Sequence, residues 1–272
     1  MREGRLVQIV LAAWTLVVFV FMLAPVLVVV ALAFNSSPSS TFPITGVTLK
    51  WFGELVADGE IGTSVRTSLA LAGLASVSAT VVGVAAAYAL TRLRFAGRDA
   101  VQVMLSVPIL VPHIVLGVGL LLAFRLLGLG KSFTLLVIGH VAITLPFVIL
   151  TTTHRLRAIP PNIEEAARTL GASPLQAFTA ITLPLAMPAI ASALVFAFMS
   201  SFDEVTATLF WLPPNVETVQ SRIMAMLQYS VDQRINALAT VLISSSVGLA
   251  LATLMIGRMT SRRDRQNGKA RP

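Results

Sequence analysis

Few side chains in this 272-residue sequence have the chemistry to bind or react. Asp203 and Glu204 stand together inside an otherwise apolar run between Leu194 and Leu209. Counted from Pro188, Asp203 falls about 22 Å along a helix rising 1.5 Å per residue, in its outer half. An acid at that depth is costly unless it faces a polar pathway or a partner. Successive helical residues point about 100° apart, so one acid can line a pathway while the other packs or pairs. The competing reading is a structural pair with backbone groups or with Arg222 or Arg234. His113 lies among the prolines and glycines of Pro108–Gly119, which loosen a helix and free carbonyls. It is read either as a gating or pathway residue or as tucked helix polarity. Trp211 and Tyr229 are placed at the outer interface, with substrate stacking as a second reading for Trp211.

Other chemistries are excluded or left without support. Cysteine is absent, which removes disulfides and thiolate ligands. The three His fall in separate segments, so no zinc site is expected. Gly128-Leu129-Gly130-Lys131-Ser132 resembles a phosphate-binding loop only superficially, because Arg125 occupies the position of its first glycine. No nucleotide binding and no cofactor are therefore expected in this chain.

The elements that position these residues are membrane spans. The sequence is 56% hydrophobic and only 12% charged, about half the charge of a soluble domain. Six apolar runs are each long enough to cross a bilayer as a helix: Val7–Phe34, Ser64–Leu90, Val101–Leu127, Phe133–Thr153, Leu185–Phe210 and Asn236–Gly257. The expected fold is all-α and polytopic, with one transmembrane domain over 1–260 and a basic, disordered tail over 261–272. The first run is too long for a signal peptide and reads as a retained span. Fourteen of the twenty Lys and Arg residues fall in alternate connections and at the two ends, which places both termini in the cytoplasm. The net charge of +8 sits in these clusters. It therefore points to membrane lipid rather than nucleic acid. The crowd of small residues in the second span, from Ala70 to Ala87, suits close helix packing within the chain.

The longest cytoplasmic connection, 154–184, is too polar to be membrane. Pro160-Pro161 stops the preceding helix. Asn162 is read as an N-cap, with Glu165 three residues on as its capping-box partner. Glu164 and Glu165 also suit the positive end of a helix dipole. Gly171 sits where a glycine ends a helix, and Ser173-Pro174-Leu175-Gln176 starts another. Leu183-Pro184 is expected to break that second helix. Such a helix–turn–helix on a membrane bundle can dock a partner and pass on its movement.

Glu165-Ala166-Ala167, then Gly171, then Ile181-Thr182-Leu183-Pro184 resembles the EAA motif of binding-protein-dependent ABC importer permeases. Phe202-Asp203-Glu204-Val205 and Asn236-Ala237-Leu238-Ala239-Thr240 are similar to the second permease subunit of spermidine/putrescine importers. The resemblance implies a non-enzymatic permease in a bacterial inner membrane. It also implies a related second permease, a dimeric ATPase that binds ATP and magnesium, and an extracytoplasmic binding protein. It makes Glu164, Glu165, Ala166, Ala167, Gly171, Ile181, Leu183 and Pro184 the ATPase-coupling set. Asp203, Glu204, Trp211 and His113 become the pathway set. The acid pair suits a polyamine, whose ammonium groups need acidic acceptors. Permeases for iron(III), thiosulfate or aminophosphonates share much of the pattern. A secondary transporter would have no use for an ATPase-docking loop, and an intramembrane enzyme would need a constellation that is missing.

Overall fold

The computed structural model describes residues 2–38, 40–229, 232–248 and 251, with side chains from residue 7 onward. Regular structure among them is helical, apart from one isolated bridge between Asn35 and Val47. In chain order the helices are α1 (Arg2–Ala33), α2 (Lys50–Ala57), α3 (Gly59–Arg92), α4 (Arg98–Leu110), α5 (His113–Leu126) and α6 (Phe133–Ala158). They continue with α7 (Pro161–Thr169), α8 (Pro174–Ala177), a π-helical turn (Phe178–Thr182), α9 (Leu183–Asp203), α10 (Thr208–Trp211) and α11 (Val219–Tyr229). A last helix, α12, runs over 234–248.

By length and composition, four of these helices are able to cross a membrane: Val7–Ala33, Gly59–Arg92, Phe133–Ala158 and the joined helix Pro174–Asp203. Counting α4 and α5 as one broken span makes five. The expected third span is therefore not one straight helix. It bends by 114° between Leu110 and His113, where Pro112 has no N–H to give and disfavours helical backbone at Val111. The expected fifth span also ends early. Its helix stops at Asp203, Glu204 is extended, and a separate short helix carries Thr208–Trp211. The sixth expected span is described only as far as α12 and residue 251. Its end and the 261–272 tail lie outside the described residues.

Contacts divide the chain into two compact units. Among the described residues, those within 2–62 and 223–251 form one. Its α1 exposes apolar side chains along most of its length, among them Trp14, Phe19 and Phe21, as a lipid-facing helix does. Its connection after α1 is a built loop. Buried Asn35 accepts from the backbone N–H of Ser37 and Thr45, and its carbonyl accepts from Trp51 Nε1 at 2.8 Å. Buried Gln233 donates to the Ser37 carbonyl, and Arg234 pairs with Asp58 at 3.0 Å.

The second unit is residues 63–222 among those described. Its core is α3, α6 and α9. Ala72, Ala75, Ala79 and Ala87 form a buried stripe along α3 at helical spacing. A Cβ at Gly83 would lie 2.6 Å from Val148 Cγ1, so the Val148 side chain of α6 packs directly on the α3 backbone. Ala79, Val148, Ala193 and Ala197 pack together in the middle of this bundle. Of the small residues of the second span, Ala72, Ala75, Ser76, Ala79, Gly83 and Ala87 are buried inside the chain, whereas Ala70, Ser78 and Ala85 are exposed.

Candidate functional site

Two places hold the residues singled out by sequence. The first is the 154–184 connection. Pro160 occupies the N-cap of α7 and Pro161 its first turn, with no side-chain cap. The expected Asn162–Glu165 capping box is therefore not formed. Proline at the first helical position is preorganised for the turn and lacks the N–H that would need a cap, and Asn162 becomes the second helical residue, two places past the N-cap. The two adjacent acids point different ways. Glu164 is buried, while Glu165 and Ala166 are exposed and Ala167 is half-buried.

Glu164 faces the end of α3. Its Oε1 accepts from Arg92 Nε at 2.7 Å, and its Oε2 accepts from Tyr88 Oη at 3.1 Å. Arg92 Nη2 also donates to the Ile159 carbonyl at 2.9 Å. Burial pushes the Glu164 carboxyl up, but the hydrogen bond and charge of Arg92, together with Thr182 and Tyr88, outweigh it and hold the group below its ordinary value of 4.5. The sequence reading grouped Glu164 with Glu165 and missed Arg92 and Tyr88. The signal available was the i,i+4 spacing of Tyr88 and Arg92 at the end of a span.

Gly171 ends α7 with φ +94°. Its N–H donates to the Arg168 carbonyl and the N–H of Ala172 donates to the Ala167 carbonyl, the two bonds of a Schellman motif. Ser173 and Gln176 form the expected reciprocal box at the start of α8. Leu183-Pro184 does not break the second helix. A π turn over Phe178–Thr182 absorbs the proline instead, with the Leu183 N–H reaching back five residues to the Phe178 carbonyl. The wider turn relieves the clash between the Pro184 ring and the preceding turn. Helix therefore continues from Pro174 to Asp203. Ile181 and Leu183 are half-buried and Pro184 is exposed, with Leu183 packed on the cluster of Ala87, Leu156, Ile159, Ala186 and Ile190. Arg155 Nε donates to the Leu185 carbonyl at 3.0 Å.

The second place is the end of α9. Asp203 is exposed and makes no hydrogen bond or ion pair among the described residues. Glu204 is buried. One of its oxygens meets His113 Nδ1, and the other accepts from the Ala207 N–H at 2.7 Å. The partner of Glu204 is thus His113 on α5, where the sequence offered Arg222 or Arg234. Arg222 bonds Glu217 and Arg234 bonds Asp58 and Asp232. His113 begins α5 immediately after the bend, so this pair ties two broken helices together. Trp211 is a core residue rather than an interface marker. It is 1% exposed, and its Nε1 donates to the Gly117 carbonyl at 2.8 Å. A ring held in this way has no face free for a substrate. Tyr229 is exposed. His140, which the sequence reading left unassigned, is fully buried, with Nδ1 on Ser201 Oγ at 2.8 Å and Nε2 on Thr208 Oγ1 at 3.0 Å. Its presence in an apolar run was visible, but its partners were not.

No cluster among the described residues could hold a metal ion. The 128–132 segment joins two helices, and Ser132 caps α6 by accepting from the Leu135 N–H. A nucleotide-binding loop follows a strand.

Residues 79–265 match the family described as binding-protein-dependent transport system inner membrane component. The chain belongs to this family. It is 34% identical over 257 residues to the spermidine/putrescine transport system permease protein PotC of Escherichia coli K12, covering 94% of this chain and 95% of that one. It is also 34% identical over 276 residues to the putrescine transport system permease protein PotI of the same organism, covering 97% and 98%. The permease superposes with a TM-score of 0.70 on a chain of a bacterial alginate ABC transporter in complex with a periplasmic protein bound to an alginate pentasaccharide. That match has 20% identity and covers 96% of the permease and 95% of the other chain; it concerns the fold. The permease is a membrane subunit of an ABC importer.

Proposed function

We propose that this permease forms half of the pathway of an ATP-driven polyamine importer, with Asp203 as an acceptor for the moving cation. The observation that carries the proposal is the contrast at the end of α9. Glu204 is spent on His113 and on the backbone of Ala207, whereas Asp203 is exposed and unpaired. A polyamine entering the pathway loses water, and its ammonium groups then need charge-assisted acceptors. One free carboxylate meets that need and still lets the substrate leave. Two polyamine permeases similar over nearly the whole chain support the substrate class.

The rest of the reading follows the family. The partners are a second related permease, a dimeric ATPase supplying ATP and magnesium chemistry, and an extracytoplasmic binding protein. The loop 154–184 docks on the ATPase. Its exposed Glu165 and Ala166, together with Leu170 and Leu175 at 90% and 70% exposure, give this polar loop apolar contact points beside an acid. The sixth span is α12 with its apolar continuation, and both termini are cytoplasmic.

The test is uptake of spermidine by the reconstituted complex with its binding protein saturated. Asp203→Asn keeps the shape and removes the charge, and it should slow uptake by about tenfold, the equivalent of about 1.4 kcal/mol. Glu204→Gln should act chiefly on assembly. Unchanged uptake in Asp203→Asn removes the pathway role, and failure of that variant to assemble assigns Asp203 to structure.

A further inference from the structure

We propose that Arg92, Tyr88 and Glu164 form the joint that carries movement of the 154–184 loop into α3, and that Glu164 serves this joint rather than the ATPase surface. The proposal rests on the reading of that loop as the ATPase-docking element.

The last turns of α3 hold the loop at three separate points. Arg92 Nη2 grips the Ile159 carbonyl ahead of α7. Arg92 Nε and Tyr88 Oη hold the two oxygens of Glu164 within α7. The Tyr88 ring stands edge-on to Phe178 at 4.8 Å, at the start of the π turn. Tyr88 and Arg92 are four residues apart and share one face of α3. With both carboxylate oxygens engaged, α7 cannot roll about its axis without pulling on α3.

Burial makes this grip stiff. The side chains of Arg92 and Glu164 are 10% and 9% exposed. A charge removed from water to that degree is stabilised chiefly by its partner, so separating the pair strands both. Glu165, one residue on, is exposed and free to meet another chain. The two acids divide the work: one faces out and one faces in.

What α3 receives it can pass on. The same helix carries Ala87 against Ile159 and Ala186, then Gly83 and Ala79 against Val148, then Leu71 against Trp211 and Ala207. That last cluster lies beside Gly117 and His140, through which α5, α6 and α10 meet. The loop thus has a packed route to the broken helices that does not run along α9.

The experiment uses the complete reconstituted complex and reads substrate transported per ATP hydrolysed, alongside ATPase retained on purification. Glu164→Gln and Arg92→Gln should each leave the ATPase bound and lower the transport-to-hydrolysis ratio by about tenfold, within the range typical of coupling between sites. The double variant should be no worse than either single one, because the pair acts as a unit. Tyr88→Phe keeps the ring on Phe178 and loses one hydrogen bond, so its ratio should fall by about two- to fivefold. Where Glu164→Gln yields no stable complex, Tyr88→Phe decides by the same ratio. An unchanged ratio per assembled complex overturns the joint, and so does ATPase loss in Glu164→Gln equal to that in Glu165→Lys. Normal ATPase binding by Glu165→Lys overturns the docking reading itself, whatever Glu164→Gln does to the ratio.

Discussion

A Cβ on Gly139 would lie 2.3 Å from Trp211 Cε3 and 2.4 Å from Cζ3. No flexible side-chain end is there to yield, since the ring is pinned by its hydrogen bond to Gly117. Gly139→Ala should therefore push Trp211 off that carbonyl and destabilise the permease by about 1–3 kcal/mol. A thermal unfolding series in detergent would measure it, and an unshifted transition would contradict the packing. At this scale the sequence was a partial guide. An aromatic at the end of an apolar run reads as an interface residue, and only Gly117 and Gly139, both more than 70 positions away, make Trp211 a core residue. A split between Asp203 and Glu204 is expected from the divergence of helical neighbours, but it arises at a helix end, where Asp203 is the last helical residue and Glu204 is extended. Which acid was spent was not legible, because His113 lies 91 residues from Glu204. The same distance problem hid Arg92 from Glu164.

Short elements obey local rules where all their partners are local. The Gly171 turn and the Ser173–Gln176 box depend on residues within a few positions, and both form as the sequence predicts. Gly171 has a positive φ, and open space surrounds the place where a Cβ would go. Gly171→Val should therefore cost about 1–2 kcal/mol through the left-handed backbone alone, leave membrane insertion intact and reduce substrate-stimulated ATP hydrolysis. Gly171→Asn, which tolerates that backbone better, should lose less. Equal, normal hydrolysis in both variants would separate the turn from coupling. Prolines were harder to read. Pro112 bends a span by 114°, Pro161 starts a helix, and Pro184 sits in a helix that continues through a π turn. The residue type signals an irregularity, and the surrounding packing selects which one.

For the whole molecule, hydropathy was the strongest signal, and it found the candidate spans because lipid demands long apolar helices. It could not show that one span is broken between Leu110 and His113, whereas the stop at Asp203 falls on the acid pair that interrupts the other run. The proposed orientation predicts that reporter fusions at Gly97 read cytoplasmic and those at Asn215 read extracytoplasmic; reversal at either site breaks the six-span topology. The unbroken helix from Pro174 to Asp203 is 30 residues long. Its first turn lies in the loop proposed to meet the ATPase, and its last residue is the free acid proposed to meet the substrate. At 1.5 Å per residue it is about 45 Å long. Such a helix is a lever with its load at the far end: a tilt of about 10° swings Asp203 through about 8 Å over that length. A small rotation at the end proposed to meet the ATPase is then enough to carry the carboxylate at the other end by more than the width of a side chain.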